Sequence, residues 1–193
     1  MKDIICFDTE WRYNHHRKKD KFNLKCEYVL NTLKAFYGLD PIYEKFLNRE
    51  DLKHYMAQFN GVQMKKNYQV IYISSHGDVN SISLEGETKK KLKSISLEEL
   101  EDLCPHFFEG RIVHFSSCYT CYDIDAVKKF KRLTHAYRVS GYQTEVDAMD
   151  SVTLDMAYFN ALQNYDINTL KKPTSRFQQH YASLIDYLQF VIV

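Results

Sequence analysis

Two hydrophobic rhythms alternate along this chain. Short apolar runs at residues 4–7, 41–47, 68–73, 112–115 and 136–142 are bounded by polar or small residues and predict strands. Between them, apolar residues recur every third or fourth position and predict helices. Cys26, Val29, Leu30, Leu33, Phe36 and Tyr37 form one such face, with Gly38 as its C-terminal stop. Asn48 caps the next, which carries Leu52, Tyr55, Met56 and Phe59. Ser94 or Ser96 starts a short helix through Leu97, Leu100 and Leu103. Asp123 or Asp125 starts another through Val127, Phe130 and Leu133. Asp147 opens a long helix bearing Met149, Val152, Met156, Phe159 and Leu162, and Pro173 opens a final one over about residues 173–190. Residues 80–96 alternate around Gly86 and read as a β-hairpin or an irregular excursion. Strands alternating with helices predict an α/β fold, a mainly parallel sheet covered on both faces.

Composition narrows this little. The chain has 193 residues, 45% hydrophobic, which suits one domain with a full core. We take residues 1–193 as a single domain, with the sheet core over about residues 1–165. The formal net charge of +1 recommends neither a nucleic-acid nor a membrane partner. Lys89, Lys90, Lys91 and Lys93 cluster at the hairpin tip without interleaved aromatics, the pattern of a solvated face. Five irregularly spaced cysteines do not make a secreted disulfide framework. Residues 1–6 lack the apolar core of a signal peptide, and the apolar residues 184–193 include Asp186 and are too few to span a bilayer. The expected compartment is a reducing cytoplasm.

Chemistry changes the picture at two strand ends. The run at 68–73 leads into Ser74-Ser75-His76-Gly77, and the run at 112–115 into Ser116-Ser117-Cys118. If the two strands are parallel neighbours, His76 and Cys118 emerge at one sheet edge, where open α/β sheets place their chemistry. Cysteine attacks as thiolate, and a nearby imidazole activates it and protonates the leaving group. Gly77 allows close backbone approach and offers an N–H to an oxyanion. His114, inside its strand, reads as structural, and Cys6, Cys26 and Cys104 fit apolar faces.

Residues 71–77 (Ile-Tyr-Ile-Ser-Ser-His-Gly) and 112–118 (Ile-Val-His-Phe-Ser-Ser-Cys) resemble the paired motifs of caspase-like cysteine peptidases of clan CD. That clan holds caspases, metacaspases, separase and the bacterial CHAT proteases. Residues 139–147 resemble the strand and acidic turn that follow the nucleophile in the CHAT and separase branch. Ser-Ser-Cys, in place of the caspase Gln-Ala-Cys, points the same way. The resemblance implies a three-layer sandwich with strand order 2-1-3-4-5. It also implies a His76–Cys118 dyad, oxyanion donors at the Gly77 and Cys118 N–H groups, and no cofactor or metal in the chemistry. The substrate would be a peptide or protein, cleaved through an acyl-enzyme by a regulated protease of bacterial defence or stress signalling that a protein partner switches on. The primary pocket of this fold lies among the ends of the first strand, the nucleophile strand and the next. Asp8, Glu10, Asp123, Glu145 and Asp147 fall there, so cleavage after a basic residue is expected, with Glu145 or Asp147 as its partner.

Two other readings stand beside this one. A caspase-like fold can serve as an inactive interaction protein. Cys118-Tyr119-Thr120-Cys121 is also a CxxC, the pattern of a redox pair or of half a zinc site with Cys104 and His106. The adjacent His15 and His16 have no third ligand near them in sequence and read as a solvated loop.

Overall fold

The computed structural model describes residues 1–9, 26–87, 89 and 92–193. Among these residues the strands are β1 (Ile4–Asp8), β2 (Ile42–Lys45), β3 (Val70–Ser74), β4 (Gly77–Asp78), β5 (Ser81–Ser83), β6 (Ser94–Ser96), β7 (Ile112–Ser116), β8 (Arg138–Tyr142) and β9 (Phe190–Ile192). The helices are α1 (Cys26–Tyr37), α2 (Arg49–Gln58), α3 (Val62–Asn67), α4 (Leu97–Leu103), α5 (Ile124–Thr134), α6 (Ala148–Asn164), α7 (Ile167–Leu170), α8 (Arg176–His180) and α9 (Ala182–Tyr187). The main sheet runs β2-β1-β3-β7-β8-β9. Its first five strands are parallel, in the expected 2-1-3-4-5 order, and β9 closes the edge antiparallel to β8.

Burial on both faces explains why the strand sequences are almost continuously apolar. Successive side chains point to opposite sides. Ile4, Cys6, Val70 and Tyr72 pack with α1 and α6–α9, whereas Ile5, Phe7, Ile71, Ile73, Val113 and Phe115 pack with α2, α4 and α5. The caps read from sequence are present. Asn48, Asp123 and Asp147 accept backbone N–H groups at the starts of α2, α5 and α6, and Ser96 with Glu99 forms a capping box on α4.

Three local features differ from expectation. The hairpin over 80–96 belongs to a separate three-stranded antiparallel sheet, β4-β5-β6. α3 has no counterpart in the sequence reading. The single helix expected over 173–190 is two short helices meeting at Tyr181, followed by Gln189 at φ +46° and then β9. The turn brings the last apolar residues alongside β8, where Val139 and Val193 exchange backbone hydrogen bonds at 3.2 and 2.8 Å. An otherwise open edge is thereby covered. Among the described residues, no helix is long and apolar enough to cross a membrane.

Arg111, just before β7, is fully buried. It donates to the carbonyls of Tyr68, Phe107 and Phe59 at 3.1, 3.0 and 2.9 Å and stacks on the Phe107 ring at 4.6 Å. Burial pulls its pKa down to about 10, which still leaves it charged at neutral pH. One guanidinium thus ties the α2 end, the approach to β3 and the segment after α4. Arg111→Ala is expected to cost about 3 kcal/mol or more, because three carbonyls lose their donor in a dry site. Urea denaturation of the variant measures this directly.

Candidate active site

The site follows from the pairing of β3 with β7. The two strands are parallel and end in register, with Ser74 opposite Ser116. His76 and Cys118 each lie two residues beyond that last pair, so both leave the sheet at its carboxyl edge. His76 is exposed and Cys118 half-buried. The following residue, Gly77, presses on the segment that follows β7. A Cβ built there would stand 2.2 Å from the Cys118 carbonyl oxygen and 2.6 Å from Thr120 Oγ1. Only glycine permits this approach.

The segment around Cys118 is held from every side. Tyr119 adopts φ +55°, a left-handed conformation that is costly for a bulky residue and that clusters at functional sites. Its N–H donates to the Thr144 carbonyl at 3.0 Å, and its carbonyl accepts from Asn80 N–H at 3.2 Å. Thr120 Oγ1 bonds the Ser81 carbonyl at 3.0 Å and Ser117 Oγ at 2.9 Å. Cys121 N–H donates to the Tyr142 carbonyl at 3.0 Å. At the sulfur itself, Val146 N–H points to Cys118 Sγ at 3.4 Å and the Val146 carbonyl lies 3.9 Å away. The β8–α6 connection therefore forms one wall of the site.

The acidic residues expected to line a specificity pocket separate. Asp8 ends β1 on the same row as Ser74 and Ser116, is 2% exposed, and accepts the Tyr43 hydroxyl at 2.8 Å. Burial, followed by the Asp8 charge, pushes the Tyr43 phenol far up, so it stays a donor. Asp123 and Asp147 are exposed and accept backbone N–H groups as helix caps. Glu145 is exposed in the wall segment beside Val146. Glu10, like His15 and His16, lies outside the described residues.

The second cysteine of the CxxC is chemically unlike the first. Cys121 is fully buried, with its sulfur 2.7 Å from where a Gly141 Cβ would stand, and burial pushes its pKa up to about 12. All five cysteines are unpaired thiols. Among the described residues, no group of three His, Cys, Asp or Glu side chains is placed to hold a metal ion. Alkylation at pH 8 is expected to modify Cys118 and spare Cys121, whose burial both keeps the thiol protonated and shuts out the reagent. Peptide mapping after iodoacetamide treatment checks this, and equal modification would restore the redox pair.

The sequence reading did not single out Asp155, which lies in α6 beneath the site. It is fully buried and accepts hydrogen bonds from Tyr72, His114, Ser116 and Tyr142. Its signal was a charged residue inside the stripe 151, 154, 155, 158, 159, 162, the face that α6 buries. His114 is structural, as its place in the strand suggested, bonded to Ser140 Oγ and Asp155. A surface cavity of about 440 Å³ among Lys128, Lys131, Arg132 and His135 lies near the start of β8, toward the other end of the sheet from Cys118.

The fold is similar to that of a solved structure described as pro-sf-caspase-1. The likeness has a TM-score of 0.54 at 13% identity, covering 96% of this chain and 83% of that one. At that identity it concerns the fold, a mainly parallel six-stranded sheet flanked by helices. No curated protein matches the chain. Residues 2–193 match the model of a family of unknown function, DUF6642, and the chain belongs to that family.

Proposed function

We propose that the protein is a caspase-like cysteine endopeptidase with Cys118 as nucleophile and His76 as general acid/base. The observation that carries this reading is the matched register of β3 and β7, which takes both residues to one sheet edge, with Gly77 packed on the Cys118 carbonyl.

In the proposed reaction, His76 takes the Cys118 thiol proton as the sulfur attacks the scissile carbonyl carbon. The resulting oxyanion is held by the Gly77 and Cys118 N–H groups. Collapse breaks the C–N bond, His76 returns the proton to the departing amine, and a thioester remains on Cys118. Water, deprotonated by His76, then attacks the thioester and releases the carboxylate product and the free thiol.

For the residue before the scissile bond we favour lysine or arginine. The carboxylates at this edge are Asp8 in its buried row and Glu145 and Asp147 beside the wall segment, while the cation on the same row, Lys45 at the end of β2, lies opposite Asp8 and over the Tyr43 ring. Arg111 is committed to backbone carbonyls before β7 begins, and Arg138 starts β8 at the opposite end of the sheet. An aspartate-directed pocket needs cations at this edge. The Ser-Ser-Cys motif supports placing the protein toward the CHAT and separase branch, as a protease switched on by a partner.

Profiling the purified protein against a peptide library, with Cys118→Ala as control, tests the reading. The expected result is Cys118-dependent cleavage after Lys or Arg, weakened at least about tenfold by Asp8→Asn or by Glu145→Gln with Asp147→Asn. Cleavage after aspartate would overturn the pocket assignment. Cleavage that persists in Cys118→Ala would overturn the nucleophile.

A further inference from the structure

Asp155 is a buried charge that the proposed reaction does not use. Its carboxylate is wholly inside the layer between the sheet and α6, with each oxygen serving two donors. Oδ2 accepts Tyr72 OH at 2.8 Å and the Ser116 hydroxyl, and Oδ1 takes the Tyr142 hydroxyl and lies 2.8 Å from His114 Nε2. A carboxylate has room for about four such bonds. Burial, and next the Asp155 charge, push the Tyr72 and Tyr142 phenols well above their ordinary range, so both remain protonated donors.

Stability alone is a weak reason to keep such a group, since apolar replacements of buried charges are often neutral or stabilising. The partners suggest another reason. Tyr72 lies on β3, which ends toward His76. His114 and Ser116 lie on β7, and Ser116 is two residues before Cys118. Tyr142 ends β8, four residues before Val146, whose N–H faces the Cys118 sulfur. Asp155 itself belongs to α6, the helix that begins just beyond Val146. One carboxylate on α6 thus joins β3, β7 and β8, the strands that lead to His76, Cys118 and Val146.

We propose that Asp155 is a positioning residue. Its shared carboxylate locks β3, β7, β8 and α6 in the register that brings His76, Cys118 and the Val146 wall together. This rests on the peptidase reading for its catalytic consequence, but not for its geometric one. An amide in place of the carboxylate keeps the size and loses one acceptor, so the strands stay paired while their ends loosen.

The test compares Asp155→Asn with Leu100→Ala, a core truncation in α4 on the opposite face. Both are measured below their melting temperatures for peptide cleavage and for hydrogen exchange at the Tyr119 and Val146 amides, which donate to Thr144 and to the Cys118 sulfur. Asp155→Asn is expected to lower kcat about 10- to 100-fold with KM nearly unchanged, and to speed exchange at both amides about tenfold. Leu100→Ala is expected to lower Tm at least as much while leaving kcat and both amides near wild type. Equal effects of the two variants, or unchanged exchange in Asp155→Asn, would overturn the proposal. If Asp155→Asn does not fold, Ser116→Ala removes one of the two bonds from Asp155 to β7, the one nearer Cys118, and leaves that of His114. It is expected to speed Tyr119 exchange with little change in Tm, and no change there counts against the proposal. If the wild-type protein without its partner cleaves no peptide, there is no kcat to compare and the exchange comparison decides the positioning role by itself.

Discussion

Cys118→Ala is expected to reduce peptide cleavage by a factor on the order of 10⁴ or more while leaving the protein folded. The size of the effect follows from the chemistry. Without the sulfur there is no acyl-enzyme, and the histidine and oxyanion donors retain only a residual effect on direct attack by water. The lack of a folding penalty follows from the surroundings. Cys118 is half-buried, and its sulfur makes long hydrogen-bond contacts to Val146 at 3.4 and 3.9 Å. The segment is held by the backbone of Tyr119 and Cys121 and by Thr120, none of which the substitution touches. Stability is expected to change by less than about 1 kcal/mol. Cleavage rates and urea melts on wild type and variant measure both quantities. Activity that survives would remove Cys118 from its role, and a variant that unfolds would overturn the expected lack of a folding cost.

The companion substitution separates the enzyme from the thiol-redox reading. Cys121→Ala removes the buried sulfur beside Gly141 and leaves Cys118 at the rim. A peptidase keeps its cleavage under this change, at some cost in stability for the small cavity. A dithiol–disulfide couple loses its function outright.

The main sheet was legible because parallel strands buried on both faces read as uninterrupted apolar runs, and because Asn48, Ser96, Asp123 and Asp147 carry the chemistry of N-caps. The placement of His76 and Cys118 at one sheet edge was legible for a related reason. A strand that ends in small polar residues followed by His-Gly or by Cys announces where its carboxyl end lies. The C-terminal segment was not legible as strand. Phe177, Tyr181, Leu184, Ile185 and Leu188 keep helical spacing across a break that a left-handed Gln189 then turns into β9. Nothing in local propensity marks Gln189, whose conformation is fixed by the open edge of β8. The face of α6 was read in part, since Phe159 and Leu162 are buried and Val152 and Met156 pack half-buried against the core. Met149 is largely exposed, whereas Ser151, Leu154, Asp155 and Tyr158 are buried. The stripe is mixed because it faces a polar network, and a hydrophobic count alone passes over it. The acidic residues divided for a physical reason too. An aspartate just before a helix satisfies backbone N–H groups first, and that demand took Asp123 and Asp147 whatever their place near the site.

Gly77→Ala is expected to cost about 100-fold in cleavage and about 2–4 kcal/mol in stability, although it adds a single methyl group. The added carbon would stand 2.2 Å from the Cys118 carbonyl oxygen, 2.6 Å from Thr120 Oγ1 and 2.9 Å from Ser117 Cβ. All three belong to the segment that follows β7, and that segment has no freedom to retreat. Its Tyr119 N–H is bonded to Thr144, its Cys121 N–H to Tyr142 and its Thr120 hydroxyl to Ser81. The strain therefore passes to the other side, the turn from β3 into β4. There the His76 carbonyl accepts from Ser83 N–H at 2.8 Å and Asn80 N–H donates to Tyr119. Moving this turn by about 1 Å carries the His76 imidazole away from Cys118, a displacement of the size that costs a catalytic group its geometry. Gly61→Ala is the matched control. Its Cβ would meet nothing within 4 Å, and neither cleavage nor melting temperature is expected to change appreciably. A Gly77→Ala protein with wild-type activity and stability would mean that the two strand ends are not pressed together, and the dyad would lose its geometric basis.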